Sequence, residues 1–218
     1  MLEKEAIERG IDIGALQNEQ KKMSKFVSCK DAFDFANATR FAGVDIQFLE
    51  KSREILAAIV VLDENMELVD SKYAIKSVRF PYIPGYRAYR EMPAILAVYD
   101  KLEEIPDVIF IEAHGIAHPR GLGLASHLGI SINKPVIGVT KNILVGEEKG
   151  DEIIFNKKVI AKKLVTKKGA NPIFVSVGNM ISLKTSVEIV KKCIVEPHKL
   201  PEPLIQARKT AERIRKEM

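Results

Sequence analysis

The stretch from residue 107 to residue 141 constrains the fold more than any other part of the chain, because it contains two short apolar runs. Residues 108–111 (VIFI) end abruptly at Glu112, and residues 135–139 (PVIGV) are followed by a threonine and Lys141. Such runs are typical of strands that are buried on both faces of a parallel sheet. The polar link and helical pattern between them predict a strand–helix–strand unit.

Three reactive side chains fall at the ends of this unit. Glu112 follows the first strand, His118 lies in the link before the predicted helix at 121–128, and Lys141 follows the second strand. The carboxyl ends of neighbouring parallel strands lie at one edge of a sheet, where open α/β proteins bind their ligands. A carboxylate, a histidine and a lysine at such an edge indicate chemistry on a metal ion and a phosphate group.

The composition is that of a globular protein with a mildly basic character. The 218 residues are 46% hydrophobic and 29% charged, which favours one domain spanning residues 1–218. The net charge of +5 favours an anionic partner. Cys29 and Cys193 match no zinc-binding spacing, so we expect reduced thiols in a cytoplasmic protein. No apolar run approaches membrane-spanning length, and the charged N-terminus is unlike a secretory signal.

Three antiparallel strands and a helix are predicted ahead of the central stretch, at residues 41–46, 54–63, 66–78 and 86–104. The first strand carries Asp45, and an acid inside a buried strand requires a partner. The apolar residues that alternate around Asp45 also allow a solvated position. The helix carries Glu91 near its start, where an acid also suits the helix dipole.

The remaining elements follow from similar patterns and comprise a hairpin of 152–155 with 158–165, a strand at 172–177, and helices at 182–195 and 204–218. Lysines between Lys157 and Lys168 make the outer face of the hairpin basic, which usually indicates a solvated surface. Residues 1–38 predict one or two peripheral helices that Gly10 and Gly14 interrupt.

This order of elements is that of ribonuclease H-like nucleases. The predicted fold class is therefore α/β, with a ribonuclease H-like mixed sheet in which three antiparallel strands are followed by parallel strands, flanked by helices. In the proteins that this order resembles, acids of the first strand, the first helix and the fourth strand hold two divalent metal ions. Asp45, Glu91 and Glu112 lie on those three elements.

Several motifs are similar to those of the endonuclease V family, namely AGVD at 42–45, PYIPG at 81–85, RE at 90–91, HGIAHPRGLGLASHLG at 114–129 and PVIGVTK at 135–141. The resemblance spans residues 40–205, with VSVGNMISL and LPEP as further matches. It implies a DNA repair endonuclease that binds deoxyinosine, turns the base into a pocket and cuts the second phosphodiester bond on its 3′ side. It also implies a Mg²⁺ cofactor, with Mn²⁺ as a substitute. We expect a monomer.

The resemblance also implies roles for individual residues. By position, the residues that resemble the family's metal-binding acids are Asp45, Glu91 and Glu112. His118 resembles the active-site histidine, which suits orienting water or phosphate, and Lys141 resembles the lysine that neutralises the scissile phosphate.

A second set of residues resembles the family's substrate-binding positions, namely Pro81, Tyr82, Ile83, Gly85, Ala113, Gly115 and Gly138. Tyr82 resembles a wedge that enters the gap beside the displaced base. Without the motif, a core aromatic beneath a loop is the alternative for Tyr82. Small residues around the pocket would let the backbone reach the base edge, whereas for Gly85 turn geometry alone is also an explanation.

Two departures from the family pattern bear on catalysis. Glu112 and Ala113 stand where the family commonly has aspartate followed by glycine, so the carboxylate reaches one methylene further and the pocket has less room. After the LPEP motif, Arg208 stands where the family often has an aspartate or a histidine, and an arginine cannot bind a metal ion.

Three alternatives to a deoxyinosine endonuclease follow from these observations. Inosine in RNA is one alternative main substrate, because contacts to the 2′-hydroxyl are not visible in motifs. A non-catalytic binder of inosine-containing nucleic acid is a second, suggested by Glu112 and Arg208. A generic α/β small-molecule binder is a third, and the absence of GxGxxG and P-loop motifs counts against it.

Overall fold

Nine strands form one mixed sheet in the order β3-β2-β1-β4-β5-β9-β8-β7-β6. The structure is a computed structural model that describes residues 10–218. The strands are β1 Phe41–Leu49, β2 Glu54–Leu62, β3 Leu68–Ser77, β4 Val108–Ile111, β5 Val136–Thr140, β6 Glu147–Lys149, β7 Glu152–Phe155, β8 Lys158–Leu164 and β9 Ile173–Asn179. All eight strands predicted from the sequence appear, including the two strands of the hairpin.

The strands β3, β2, β1, β4 and β5 confirm the predicted ribonuclease H-like arrangement. β1 pairs antiparallel with β2, and β2 pairs antiparallel with β3. β4 lies parallel to β1, and β5 lies parallel to β4. The register sets Val44 opposite Ile111, and Ile111 opposite Gly138. Asp45 and Glu112 are the next residues of β1 and of the chain after β4, so both acids lie at one edge of the sheet.

Beyond β5, the sheet continues with four antiparallel strands. β9 pairs antiparallel with β5, and β8, β7 and β6 follow in turn. The hairpin formed by β7 and β8 confirms the prediction. The sequence patterns missed β6, because its three residues are charged and exposed and therefore have no apolar alternation.

Within the described residues, five α-helices flank the sheet, namely α1 Ile13–Met23, α2 Arg87–Tyr99, α3 Leu124–Ile132, α4 Leu183–Lys192 and α5 Glu202–Glu217. α2 and α3 pack on one face, against apolar side chains that include Val44 and Ile111. The α4 helix and the start of α5 pack on the other face, against side chains that include Phe41 and Phe110. Within residues 10–218, no helix is long and apolar enough to cross a bilayer.

Two helix boundaries differ from the prediction for reasons of backbone geometry. The helix predicted at 121–128 begins at Leu124, because Gly121 has a φ of +68° and Gly123 is extended. The Cβ of any other residue at 123 would lie 2.2 Å from the carbonyl oxygen of His114. The helix predicted at 86–104 ends at Tyr99.

The N-terminal segment is partly as predicted. Gly10 has a φ of +72° and precedes α1, whereas Gly14 lies inside this helix and does not interrupt it. Asp12 caps the helix by accepting a hydrogen bond of 2.9 Å from the amide of Ala15. The part of the predicted helical pattern at residues 1–9 lies outside the described residues.

The placement of α5 depends on Gly43. A Cβ at this position would lie 2.0 Å from the carbonyl oxygen of Pro203 and 2.7 Å from the amide of Leu204. The absence of a side chain therefore lets the first turn of α5 lie directly on β1. As a result, α5 carries Arg208 over the edge of the sheet where Asp45 lies.

Candidate active site

Asp45 and Glu112 lie side by side on the face of the sheet that α5 covers. Along β1, Ala42 and Val44 point to the opposite face, so Asp45 shares the α5 face with Phe41. Glu112 shares the parity of Phe110, which packs on the α5 face. The parallel pairing of β1 with β4 therefore brings these two carboxylates together, as the sequence predicted for strands ending at one edge.

Two cations hold Glu112. The Lys141 Nζ lies 2.8 Å from one carboxylate oxygen of Glu112. The Arg208 guanidinium donates a hydrogen bond to the other oxygen, and its Nε lies 3.9 Å from a carboxylate oxygen of Asp45. Both departures from the family pattern thus meet in one ion pair, in which the longer side chain of Glu112 contacts the arginine.

Asp45 is the acid with the weakest pairing to a cation. The carboxylate oxygen of Asp45 that does not face Arg208 accepts a hydrogen bond of 3.2 Å from the side-chain amide of Gln47. Burial, the largest influence, raises the pKa of Asp45, and the charges of Glu112 and Glu212 raise it further, although Gln47 and Arg208 oppose them. An additional cation beside Asp45 would relieve this repulsion.

Glu91 is buried and is paired with an arginine of its own helix. Arg87 donates hydrogen bonds of 2.9 Å to each of the two oxygens of Glu91. The same guanidinium reaches the backbone carbonyl oxygen of Glu112 at 3.4 Å. A bidentate ion pair of this kind explains the presence of Glu91 at this position more directly than the helix dipole does.

The expected gathering of Asp45, Glu91 and Glu112 into one cluster is not observed. Residues 10–218 contain no group of three or more histidine, cysteine, aspartate or glutamate side chains placed to hold a metal ion. The reason is visible in the packing: α2 brings Glu91 from the face opposite to α5, where Arg87 holds it, whereas Lys141 and Arg208 hold Glu112.

The acids nevertheless fit a divalent cation in their chemistry. Mg²⁺ prefers hard oxygen ligands, and proteins often hold it with one or two carboxylates and the phosphates of the substrate. Asp45 and Glu112 are adjacent, and the pKa of Asp45 is raised partly by the repulsion between them. Because Lys141 and Arg208 already contact Glu112, a metal ion at this pair would have to compete with Arg208.

A small cavity lies next to the end of β4. Gly85, Arg87, Ala113 and His118 are among its lining residues. Arg87 joins the cavity to the acids, since it contacts both Glu91 and the backbone of Glu112.

Gly115 and Gly138, which are not among the residues that line this cavity, are required by close backbone approaches. A Cβ at Gly115 would lie 1.9 Å from the carbonyl oxygen of Val177, and one at Gly138 would lie 2.4 Å from that of Ala113. The amide of Gly115 donates a 2.9 Å hydrogen bond to the hydroxyl of Ser176. Gly85 has a φ of +81°, so turn geometry contributes to the choice of glycine there.

His118 uses both ring nitrogens in contacts with the protein. Its Nε2 lies 3.1 Å from the carbonyl oxygen of Gly85, and its Nδ1 accepts a 3.3 Å hydrogen bond from the amide of Arg120. Burial, followed by the charge of Arg120, lowers the pKa of His118 to about 4. The imidazole is therefore neutral near pH 7, with its proton on Nε2, and in this arrangement it supports the Gly85 loop.

Gln20 and Arg120 complete the support of this loop, and sequence reasoning missed both. The side-chain amide of Gln20 donates a 3.0 Å hydrogen bond to the carbonyl oxygen of Gly85, and Arg120 donates one of 2.8 Å to the same oxygen. Arg120 also donates to the side-chain oxygen of Gln20. The helix α1 is therefore more than peripheral. The polar composition of α1 carried no signal for a buried glutamine.

Tyr82 lies at the surface, which rules out the alternative of a core aromatic. Its side chain is 53% exposed, while its neighbours Pro81 and Ile83 are buried. Ile83 packs with Tyr86 against side chains of α1 and α2. Tyr82 is thus exposed to solvent on a loop that its buried neighbours Pro81 and Ile83 hold in place.

A cleft links Tyr82 to Glu91. Its lining includes Tyr82, Phe48, Arg90 and Glu91. The guanidinium of Arg90 lies 4.4 Å from the ring centre of Phe48 and 5.9 Å from that of Tyr82. Sequence reasoning missed Phe48 and Arg90 as neighbours of Tyr82, because only folding brings β1, the loop and α2 together.

Known proteins share both the sequence and the fold. A family model described as Endonuclease V matches residues 21–209. Endonuclease V of Thermosipho melanesiensis is 39% identical over 206 residues, which cover 91% of this chain and 89% of that protein. Endonuclease V of Rippkaea orientalis is 40% identical over 201 residues, covering 88% and 86% respectively.

Solved structures agree with these matches. Endonuclease V from Streptomyces avermitilis superposes with a TM-score of 0.86 at 31% identity, covering 94% of each chain. Endonuclease V of Ciona intestinalis, in complex with a 24mer DNA containing an inosine followed by a ribo-adenosine, has a TM-score of 0.85 at 25% identity. That likeness covers 94% of this chain and 98% of that one.

These likenesses define the protein as a nuclease, a hydrolase that cuts phosphodiester bonds. Within that class, the chain belongs to the endonuclease V family. It is accordingly a DNA-binding endonuclease of DNA repair, and metal-dependent hydrolysis is the chemistry of its family.

Proposed function

We propose that this endonuclease recognises deoxyinosine in DNA and, with Mg²⁺, hydrolyses the second phosphodiester bond on its 3′ side. The observation that carries the proposal is the small-walled cavity beside two adjacent carboxylates, with an exposed tyrosine on the neighbouring loop. The inosine-containing DNA bound by the Ciona relative supports the same substrate class. We further propose that the protein acts as a monomer in the cytoplasm.

Base recognition rests on the cavity and the loop above it. Tyr82 would stack in the gap that the displaced base leaves, recovering part of an unstacking cost of a few kcal/mol. Pro81 and Ile83 hold the wedge. The base would then lie against Gly85 and Ala113, which line the cavity and carry little side-chain volume, while Gly115 and Gly138 let the neighbouring backbone segments pack closely.

Catalysis is proposed to depend on the acids and on Lys141. Asp45 and Glu112 would hold the metal ion, with Glu91 as a third acid that Arg87 keeps ionised and oriented. When bound, Mg²⁺ activates water and stabilises the leaving oxyanion. Lys141 neutralises charge on the scissile phosphate. The neutral His118 orients the Gly85 loop through its Nε2 proton, which contacts the Gly85 carbonyl oxygen, and its lowered pKa makes it a poor general base.

Cleavage of matched oligonucleotides tests this function. End-labelled duplexes carrying deoxyinosine, or deoxyguanosine in its place, are incubated with the protein in Mg²⁺, Mn²⁺ or EDTA, and product ends are mapped to the nucleotide. We expect cleavage of the deoxyinosine strand at the second 3′ bond in Mg²⁺, and none in EDTA. Faster cleavage of a matched inosine-containing RNA would make RNA the main substrate. Equal cleavage with deoxyguanosine would contradict the proposal.

A second candidate function is a catalytically weakened binder of inosine-containing nucleic acid. The ion pair between Arg208 and Glu112 favours it, because the guanidinium contacts an oxygen that the metal requires. In that case the wild type would bind deoxyinosine duplexes without cutting them in either metal. The variant Glu112→Asp, which shortens the side chain to the family's usual residue, would not restore cutting while Arg208 remains.

A further inference from the structure

A basic groove begins at the acid site and leads away from it. Its volume is about 920 Å³, and it is open to solvent. Its lining includes the five cationic residues Lys141, Lys167, Lys168, Lys199 and Arg208, and contains no aspartate or glutamate. Lys141 and Arg208 are the same residues that hold Glu112, so the groove is continuous with the proposed catalytic centre.

Among the described residues, no acid pairs with Lys167 or Lys168. Both lie in the loop between β8 and β9, both are exposed, and neither forms an ion pair with any residue in the range 10–218. Uncompensated cations in a concave surface attract anions more strongly than scattered surface lysines do.

Two lysines of the adjacent strand β8 differ in this respect. Lys162 lies 2.9 Å from Asp151 and 3.1 Å from Glu152, and Lys163 forms an ion pair with Glu148. The predicted solvated surface holds for Lys167 and Lys168, which are exposed, whereas Lys162 and Lys163 are half-buried and are neutralised by acids of the same sheet extension.

The far wall of the groove is tied to the loop that carries Lys167 and Lys168. The hydroxyl of Thr166 donates a 2.6 Å hydrogen bond to the carbonyl oxygen of Lys199. The Lys199 Nζ in turn donates one of 3.1 Å to the carbonyl oxygen of Asn171. These two bonds connect the segment before α5 with the β8–β9 loop, so the cations of both walls keep a defined spacing.

We propose that this groove binds the sugar–phosphate backbone of the nucleic-acid strand as the strand passes the acid site. The inference rests on the proposed function for the presence of a strand, and it adds the path that the strand takes. Charge complementarity supports it, since the lining offers cations and no carboxylate. The continuity of the groove with the acid site supports it as well. If one phosphate lies beside Lys141, the next phosphates of the same strand would lie in the groove.

The salt dependence of binding tests the path, with a matched control in the same region. Affinity for a deoxyinosine duplex is measured over a series of salt concentrations for the wild type, for Lys167→Ala/Lys168→Ala, and for Lys162→Ala/Lys163→Ala. Each phosphate contact contributes about 0.9 to the slope of log affinity against log salt. We expect the first variant to lose about 1.5–2 from this slope and the second to keep the wild-type slope.

Other results would overturn the path. An unchanged slope in Lys167→Ala/Lys168→Ala, or an equal loss in both variants, would show that the groove does not hold the backbone specifically. Unfolding temperatures of the variants establish that each is folded. Failure of the proposed function is distinguishable, because a wild type that does not prefer deoxyinosine would still show the slope difference if the groove binds phosphates.

Discussion

At the scale of single residues, charge balance governs the site. Asp45, Glu91 and Glu112 are opposed by Arg87, Lys141 and Arg208, so three acids face three cations within the protein itself. A divalent ion bound here would therefore enter a site that is already close to neutral. A substrate phosphodiester, with its one negative charge, would offset half of the charge of Mg²⁺, which makes joint binding of the two more favourable than binding of the metal alone.

Tyr82→Ala separates the wedge from a structural role. The ring is half-exposed, so its removal should leave the unfolding temperature nearly unchanged. We expect affinity for a deoxyinosine duplex to fall by about 1–3 kcal/mol, the range for one aromatic–base stack. Tyr82→Phe, which keeps the ring, is the matched control and should retain most of the affinity. A large fall in unfolding temperature with unchanged affinity would assign Tyr82 to the fold instead.

His118 should make stability depend on pH. Its folded pKa is about 4, below the ordinary value of 6.5, so between these values only the unfolded chain takes up the proton. Stability therefore falls as pH decreases from 6.5 to 4, and the loss approaches about 3 kcal/mol at about 1.4 kcal/mol per pKa unit. Urea unfolding of the wild type and of His118→Gln across this range measures the difference. Identical pH dependence of the two proteins would contradict the buried neutral imidazole.

At the scale of elements, the approach of α5 to β1 determines where Arg208 lies. Gly43→Ala places a Cβ about 2.0 Å from the carbonyl oxygen of Pro203, so α5 must shift. We expect a loss of stability at or above the usual 1–3 kcal/mol for overpacking, because the obstacle is backbone. The measurement is the free energy of unfolding in urea.

Gly14→Ala is the control for this substitution. It lies in the first turn of α1, where alanine favours the helix by about 1 kcal/mol, so it should stabilise or leave stability unchanged. Equal stability of Gly43→Ala and the wild type would show that α5 is not held by this contact.

Sequence patterns predicted the elements best where one apolar period extends over the whole segment. β4 was predicted to the residue, and β7 with its turn was predicted equally well, because each run is bounded by charged or turn-forming residues. β6 was missed because its edge position is stabilised by pairing alone. The helix α3 began later than predicted, because close packing of Gly123 on the His114 backbone outweighed the local helical pattern.

The same reasoning explains which parts of the site were predictable. Because neighbouring parallel strands were expected to end at the same edge of the sheet, the sequence predicted that Asp45, Glu112 and Lys141 lie close together. The family motif predicted that Tyr82 is exposed on the loop. Contacts between distant segments, such as Gln20 with Gly85 or Arg208 with Glu112, leave no periodic signal in either segment and required the folded chain.

At the scale of the whole molecule, one sheet serves two purposes. The strands β1 to β5 carry the acids and border the cavity, while the loop after the β7–β8 hairpin contributes Lys167 and Lys168 to the basic groove. The net charge of +5 is therefore not spread evenly, since Lys162 and Lys163 of β8 pair with acids, whereas Lys167 and Lys168 form no ion pair within residues 10–218. Attraction of nucleic acid should be directed to the side of the molecule where the acids lie.

The cutting rate of Glu112→Gln tests the central claim most directly, namely that the carboxylates at the ends of β1 and β4 form the catalytic centre of an inosine-directed endonuclease. Single-turnover cleavage of a deoxyinosine duplex is measured for the wild type and the variant over a wide range of Mg²⁺ concentrations, with binding measured in parallel. We predict that Glu112→Gln binds the duplex but cuts at least about 100–1,000-fold more slowly at every Mg²⁺ concentration, since a neutral amide is a poor ligand for this ion. Cleavage by Glu112→Gln at the wild-type rate would contradict the assignment.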